Sequence, residues 1–229
     1  MEPREVCHRA EQLADQGDLQ GAVNLLDPLL AEYREFGPAY VVHARVFLMA
    51  GDAAQPLVDL DAAEAANREY GTPEQMDQVH EARALAHAVR SLYGGKTEGD
   101  KCRAAVEELI RRKCAPRSQW FLPALCLESA YKAQDAEAWV RRMAKFRELE
   151  AAAGFFFQRR AGLTEMLAMP KNPEEMIPVH FARHLRVRRD GDKKSAEKYL
   201  KRMTELLKPG DPWSVLALYA TGETTLAAM

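Results

Sequence analysis

The sequence predicts an all-α protein, and three observations support that fold class. Apolar residues recur at three- and four-residue intervals along almost every segment, as they do on one face of an amphipathic helix. No stretch of more than four residues alternates between apolar and polar in the manner of a strand, and no Asn-Gly hairpin signal occurs. Start and stop signals divide the chain into about a dozen helices joined by short turns.

The first two helices are predicted from their apolar stripes. Between residues 6 and 16, one stripe collects Val6, Ala10, Leu13 and Ala14. Between residues 19 and 33, a second stripe collects Leu19, Val23, Leu26, Leu29, Leu30 and Tyr33. Charged residues lie between these positions, so both segments are predicted to be amphipathic helices.

Later helix boundaries are predicted from capping residues. Thr72-Pro73-Glu74-Gln75 places an N-cap, a proline at the first helical position and a capping-box glutamine in order, and Asn172-Pro173-Glu174-Glu175 repeats the device. Further helix starts are predicted at Ser118, Asp135 and Asp211. Helix ends are predicted at Gly37, Gly71, Gly94-Gly95, Gly154 and Pro209-Gly210.

Four Gly-Asp pairs are predicted to be hinges between helices. Gly17-Asp18 and Gly51-Asp52 lie 34 residues apart in similar settings, and Gly99-Asp100 and Gly191-Asp192 follow. Glycine adopts the left-handed backbone just past a helix end, and aspartate accepts hydrogen bonds from the free N–H groups of the next helix. We therefore interpret these aspartates as structural and not as catalytic.

A helix, a hinge, a second helix and a return turn within 34 residues resemble a tetratricopeptide repeat. Units of that family carry small residues where their two helices cross, and the first two units match with Ala10, Ala22, Ala44 and Pro56. The matching large apolar residues are Leu13, Leu26, Phe47 and Leu60. The resemblance implies a right-handed superhelix of antiparallel helical hairpins, that is, an α-solenoid.

The chain also departs from the family pattern. Val6 and Tyr40 replace its early tryptophan, and both N-terminal units lack its closing proline. We predict one helical-repeat domain over residues 1–229 in three parts. These parts are two clear units in 1–71, two divergent hairpins in 72–153 (with the degenerate unit AQDAEAW at 133–139), and an extra helix at 155–169, a last hairpin and a C-terminal helix in 154–229.

The predicted C-terminal helix has no charged residue between positions 213 and 220. The last helix of a solenoid usually has a polar outer face, because no further repeat covers it. Two explanations stay open at this point. Either the helix folds back into the array, or a second copy or a partner covers its apolar face.

Charge is unevenly distributed along the 229 residues, although the formal net charge is only −2. Residues 1–75 contain 5 Lys and Arg against 14 Asp and Glu, whereas residues 176–229 contain 10 against 6. An acidic N-terminal part and a basic C-terminal part are what head-to-tail packing of identical chains would use.

Composition also bears on the compartment. The first twenty residues lack an apolar signal-peptide core, and no window approaches the roughly 18 consecutive apolar residues of a membrane span. The sequence contains four cysteines, Cys7, Cys102, Cys114 and Cys126. They form no CxxC pair and do not have zinc-finger spacing. We expect a cytoplasmic protein with reduced thiols and without a membrane span.

His180 and His184 form a candidate metal motif, and His80 and His87, seven residues apart, form a weaker one. The spacing of His180 and His184 is that of a zinc metalloprotease helix, but Phe181 stands where the general-base glutamate should follow the first histidine. We interpret both pairs as packing or solvent-facing residues and predict no metal. Because the sequence contains no glycine-rich phosphate loop, no GxSxG elbow and no acidic metal cluster, we also predict no cofactor and no enzymatic activity.

Basic residues cluster near the C-terminus: Arg186, Arg188, Arg189, Lys193, Lys194, Lys198, Lys201 and Arg202. Only Tyr199 interleaves with them and the overall pI is about 6.3, which argues against nucleic acid and favours an acidic partner surface. Nucleic-acid binding is retained only as the weakest alternative.

The resemblance also implies a binding surface. In tetratricopeptide proteins the first helix of each unit lines an inner wall, which here gives Val41, Arg45, Leu48 and Met49. We add Arg186 and Arg189 as partner contacts. The predicted function is a protein–protein adaptor that docks a peptide or helix of a partner, and the main alternative is a self-assembling scaffold.

Overall fold

A computed structural model describes residues 1–94, 96–112, 163–208 and 210–221. Within these ranges every regular element is a helix and no strand occurs, which confirms the all-α class there. The predicted signals at Ser118, Asp135 and Gly154 and the degenerate unit at 133–139 lie outside the described residues.

The described helices, in chain order, are α1 (Pro3–Asp15), α2 (Leu19–Glu32), α3 (Gly37–Ala50), α4 (Gln55–Tyr70), α5 (Pro73–Gly94), α6 (Lys96–Arg111), α7 (Leu163–Leu167), α8 (Met176–Arg189), α9 (Lys193–Thr204) and α10 (Pro212–Thr221). Residue contacts divide the chain into two units. The first unit comprises residues 1–121 and 209–229, and the second comprises residues 122–208. The prediction of a single domain over 1–229 stays a prediction.

No helix in the four described ranges combines the length and the apolar content needed to cross a bilayer.

Helices of the first unit pack in pairs along the chain. Helix α1 contacts α2, α3 contacts α4, and α5 contacts α6, while α2–α3 and α4–α5 contacts join successive pairs. The first helices of successive pairs also meet, α1 with α3 and α3 with α5. Helix α10 contacts α3 and α5, so the C-terminal helix folds back onto the first helices of the second and third pairs.

The small residues predicted at the helix crossings are buried. Ala10, Ala22 and Ala44 are fully buried, and Pro56 is buried at the start of α4. A side chain that ends at Cβ lets two helix axes come close, and the larger Leu26 and Leu60 fill the space on either side. Leu13 and Phe47 are only half-buried and pack against the edge of the core.

Three of the four Gly-Asp hinges are confirmed. Gly17, Gly51 and Gly191 have φ values of +86°, +90° and +87°, the left-handed backbone that favours glycine. Each following aspartate accepts a hydrogen bond from a backbone N–H of the next turn: Asp18 from Gly21 at 2.9 Å, Asp52 from Ala54 at 2.7 Å and Asp192 from Ser195 at 3.0 Å. The sequence pair therefore ends one helix and begins another.

The third predicted hinge in chain order is wrong, because Gly99-Asp100 lies inside α6. The chain passes from α5 to α6 between Gly94 and Lys96 instead. Glycine within a helix costs only about 1 kcal/mol relative to alanine, and packing offsets that cost. Here Cys102 and Val106 of α6 are buried.

Helix starts are confirmed in part. Thr72 Oγ1 accepts a hydrogen bond from the Gln75 N–H at 3.3 Å, and Gln75 Oε1 accepts one from the Thr72 N–H at 2.7 Å, so α5 begins with the predicted capping box. At Asn172 the predicted capping box forms differently: Asn172 Oδ1 accepts from the Glu175 N–H at 3.0 Å, and Glu175 Oε1 accepts from the side-chain Nδ2 of Asn172 at 2.9 Å. Helix α8 begins only at Met176, so these hydrogen bonds close a turn before the helix. Asp211 accepts from the Trp213 N–H at 2.9 Å at the start of α10.

Gly37 begins α3 and does not end α2, which corrects another prediction. The reason for a glycine there is a close approach. A Cβ on Gly37 would lie 2.1 Å from Oδ1 of Asn67, whose side chain is buried near the end of α4. Gly71 follows the end of α4 as predicted, and its backbone also lies against Asn67.

We expect Gly37→Ala to lower the free energy of unfolding by about 1–3 kcal/mol, because Asn67 must move out of a packed position. The matched control is Gly99→Ala, whose Cβ meets no described atom within 4 Å. In the interior of α6 alanine should raise that free energy by about 0.5–1 kcal/mol. Urea unfolding followed by circular dichroism checks both, and equal stability of Gly37→Ala and the parent chain would contradict the packing argument.

The second unit contains the hairpin of α8 and α9, which contact each other along their length. Its core includes Phe181, Met203 and the predicted pair Ala196 and Leu200, all buried. Helix α7 is the described part of the predicted helix at 155–169.

Candidate functional site

A cavity of about 260 Å³ lies between α1 and α3. The lining residues that the structure describes belong to these two helices: His8, Glu11, Gln12, Ala14, Asp15, Val42, Arg45, Val46 and Met49. We call it the α1–α3 cavity. It contains two of the four residues predicted for the inner wall, Arg45 and Met49.

The other two predicted wall residues lie inside the protein. Val41 is 2% exposed and packs with Leu60 of α4 and Val79 of α5, and Leu48 is 0% exposed. Helix α3 contacts five other helices, α1, α2, α4, α5 and α10, so little of its circumference stays open. A partner reaching this helix would therefore contact Arg45 and Met49. The prediction that Val41 and Leu48 also contact a partner is corrected, because neither side chain lies on the surface.

Arg45 lies at the centre of a row of charges on the first helices. Its Nη1 is 3.7 Å from Oε1 of Glu11 on α1, and its Nη2 is 4.0 Å from Oε2 of Glu81 on α5. The side chains of Arg45 and Glu81 are only 13% and 6% exposed. Burial lowers the pKa of Arg45 from its usual value, and the charges of Glu11 and Glu81 act in the opposite direction.

Glu81 is the residue of this row that the sequence interpretation missed. Glu11 and Arg45 are 34 residues apart, but Arg45 and Glu81 are 36 apart, which is out of step with the repeat. Placing the third hinge at Gly99 hid the relation further. The sequence feature that could have identified Glu81 is its position between the residues Val79 and Ala82 of α5, both of which are buried.

Helix α10 covers another part of the first-helix surface. Its inward residues are buried: Pro212, Trp213, Val215, Leu216, Ala217 and Tyr219. Because α10 packs on α3 and α5, the burial of these residues explains why positions 213–220 contain no charged side chain. None of these α10 residues lines the α1–α3 cavity.

Buried histidines join the two helices of two hairpins. His43 Nδ1 of α3 lies 2.8 Å from Asp59 Oδ2 of α4, and its Nε2 lies 3.3 Å from Asp27. Burial acts to lower the pKa of His43, but Asp59 and Asp27 outweigh it, so this pKa is raised.

His87 of α5 makes the corresponding contact with Glu98 of α6 at 2.9 Å. Its pKa is lowered, because burial outweighs its single carboxylate partner. Both pairs connect helices within a hairpin, so we assign them structural roles.

His180 and His184 are both buried within the second unit. Nδ1 of His184 donates to the carbonyl oxygen of Ala196 at 2.9 Å, which ties α8 to α9. Burial lowers the pKa of both imidazoles, which favours their neutral forms. In the described ranges no group of three or more His, Cys, Asp or Glu side chains is arranged to hold a metal ion.

Arg186 and Arg189 lie on the last turn of α8, in the second unit. Arg186 is half-buried and Arg189 is exposed. Positive charges are favourable at a helix C-terminus, where the backbone dipole is negative. The structure thus places the two groups of predicted partner contacts on different units.

Two cysteines lie in the described residues, and both are free thiols in the core. Burial, with a smaller contribution from the charge of Glu11, raises the pKa of Cys7 to about 11. A thiol with that pKa is almost entirely protonated at neutral pH and is a poor nucleophile.

Comparison with protein-family models, with curated proteins and with solved structures finds no match in any of the three. The tetratricopeptide resemblance therefore stays a prediction.

Proposed function

We propose that the chain is a protein–protein interaction module that docks a peptide segment or a helix of a partner protein at the α1–α3 cavity. The observation that carries this proposal is the cavity itself, in which Met49 offers an apolar contact beside the charges of Glu11 and Arg45. In such recognition, apolar contacts supply affinity and charges supply orientation.

We also propose that the first unit is a tetratricopeptide-like α-solenoid. Support comes from the contacts between successive helix pairs and from the stacking of α1 on α3 and of α3 on α5. Contact with neighbours only is the defining pattern of repeat arrays. The fold-back of α10 replaces the polar outer helix that such arrays usually have.

The size and lining of the cavity favour a peptide side chain over a small metabolite. Pockets for drug-sized ligands measure about 300–1,000 Å³, so a cavity of about 260 Å³ suits one large side chain. The lining combines the carboxylates of Glu11 and Asp15 with the apolar side chains of Val46 and Met49. The expected ligand is an apolar side chain followed closely by a basic one.

Met49→Glu tests the proposal, with Val58→Glu as the matched control. Met49 is a half-buried residue of the cavity, whereas Val58 is 64% exposed on α4 and lines neither the α1–α3 cavity nor the core. In a pull-down from native extract at two salt concentrations, Met49→Glu should reduce retention of a stoichiometric partner about tenfold, equivalent to about 1.4 kcal/mol. Equal retention by both variants would contradict docking at the cavity.

Self-assembly is a second candidate, which the charge distribution favours. Exposed cations end α8, at Arg188 and Arg189, and begin α9, at Lys193 and Lys194, on either side of Asp190 and Asp192. The N-terminal 75 residues carry the surplus of carboxylates. Sedimentation at 0.1 M and about 1 M salt separates the candidates, because screening shortens from about 10 Å to about 3 Å. A monomer at high concentration and low salt would exclude this candidate.

A further inference from the structure

A second cavity, of about 610 Å³, lies where the α2–α3 connection meets the end of α4. Its lining residues are Ala31, Glu32, Tyr33, Arg34, Glu35, Phe36 and Tyr70. We call it the tyrosine cavity. It shares no lining residue with the α1–α3 cavity, so binding at the tyrosine cavity is independent of the proposed function.

Aromatic rings are exposed at this cavity. Tyr33 is 42% exposed and Tyr70 is 63% exposed, two of the few large apolar residues on the described surface. The Tyr70 hydroxyl donates to Oε1 of Glu69 at 2.7 Å. A hydrogen bond to Glu32, followed by the charges of Glu32 and Glu2, raises the pKa of Tyr33. Both rings therefore lie directly beside carboxylates.

The backbone beneath the rings is held by close packing. Asn67 is buried, and a Cβ on Gly37 would lie 2.1 Å from its side-chain Oδ1. A Cβ on Gly71 would lie 2.6 Å from Cα, Cβ and the carbonyl oxygen of the same residue. Gly37 directly follows Phe36, and Gly71 directly follows Tyr70. The two sides of the cavity are thus fixed to each other before any ligand arrives, which reduces the entropy lost on binding.

The charges around the cavity define what it attracts. Among the described lining residues Glu32 and Glu35 are acidic and Arg34 is basic, and Glu69 borders the cavity beside Tyr70. This local excess agrees with the surplus of carboxylates over residues 1–75. An aromatic face attracts a cation through its quadrupole, and a neighbouring carboxylate adds Coulomb attraction, so the two features select the same ligand. A nucleic acid would be repelled.

We propose that the tyrosine cavity binds the lysine or arginine side chains of a basic, extended peptide segment of a partner protein. The cation lies against Tyr33 and Tyr70, and Glu32 and Glu35 neutralise it. The cavity is large enough for more than one side chain, and its wide exposure suits an extended segment over a small free amine.

Fluorescence anisotropy of a labelled ten-residue peptide of alternating lysine and serine, titrated with the full chain, tests this proposal. Tyr70→Ala should weaken binding about fivefold, whereas Tyr70→Phe, which keeps the ring, should stay within about twofold of the parent. Arg34→Gln should tighten binding, because it removes the competing cation. A glutamate–serine peptide should not bind.

Val58→Ala is the matched control, an exposed substitution on the same helix about 18 Å from Tyr70 along its axis. All substituted side chains are exposed, and thermal unfolding of each variant verifies the fold. Binding that falls with salt but is equal in all variants would show only general electrostatic attraction and would overturn the proposal. A dimer that Tyr70→Ala dissociates, without peptide binding, would assign the cavity to a second copy and also overturn it.

Discussion

Replacing Arg45 by methionine should lower the free energy of unfolding by about 3–5 kcal/mol, the usual effect of removing one partner of a buried ion pair. The substitution keeps a long apolar stem but removes the guanidinium, while Glu81 stays 6% exposed on α5. Its carboxylate then loses the Coulomb attraction that offsets its burial. Urea unfolding monitored by circular dichroism measures the change.

Two further variants separate this explanation from a packing defect. Arg45→Met combined with Glu81→Leu removes both charges and should recover most of the lost stability, because a buried ion pair is often replaceable by apolar side chains. Arg68→Met removes a 72%-exposed arginine that pairs with Glu64 and should change stability by about 1 kcal/mol or less. If Arg45→Met lowered the free energy of unfolding no more than Arg68→Met does, the row of charges would not contribute to stability.

Leu216→Ala should destabilise the first unit by about 2–5 kcal/mol through the cavity that it leaves. Leu216 is fully buried in α10, which packs on α3 and α5. Loss of this contact should also loosen α3, the helix that carries Arg45 and Met49. Urea unfolding gives the magnitude, and hydrogen exchange shows whether amides of α3 exchange faster.

Leu218→Ala provides the comparison on the same helix, since Leu218 is only half-buried. Its effect should be clearly smaller than that of Leu216→Ala because fewer apolar contacts are removed. Equal, small effects of the two substitutions would mean that α10 does not pack on the first helices in solution.

Local chemistry explains which parts of the fold were predictable. Apolar periodicity and the hinges at Gly17, Gly51 and Gly191 were sufficient for the helices and their turns, because caps depend on neighbouring residues only. Gly99 shows the limit of that reasoning. Its Gly-Asp pair is identical in sequence, but packing between α5 and α6 keeps it helical.

The candidate site was predictable only in part, since it depends on contacts distant in sequence. The repeat position identified Arg45 and Met49, but α3 is apolar around most of its circumference, so periodicity could not tell which face stays open. Val41 and Leu48 are buried because α3 has five neighbouring helices, one of which is α10. The tyrosine cavity was not foreseen, because Tyr33 and Tyr70 are 37 positions apart and line one cavity only in the folded chain.

Photo-crosslinking from position 49 of the full chain tests the central claim most directly. A photoreactive amino acid replaces Met49 in one sample and the exposed Val58 of α4 in another, and adducts formed in native extract are identified by mass spectrometry. The proposed function predicts an adduct with one foreign protein from position 49 only, and an excess of unmodified chain should suppress it. Identical adducts from both positions, or adducts only with the chain itself, would contradict docking of a partner at the α1–α3 cavity.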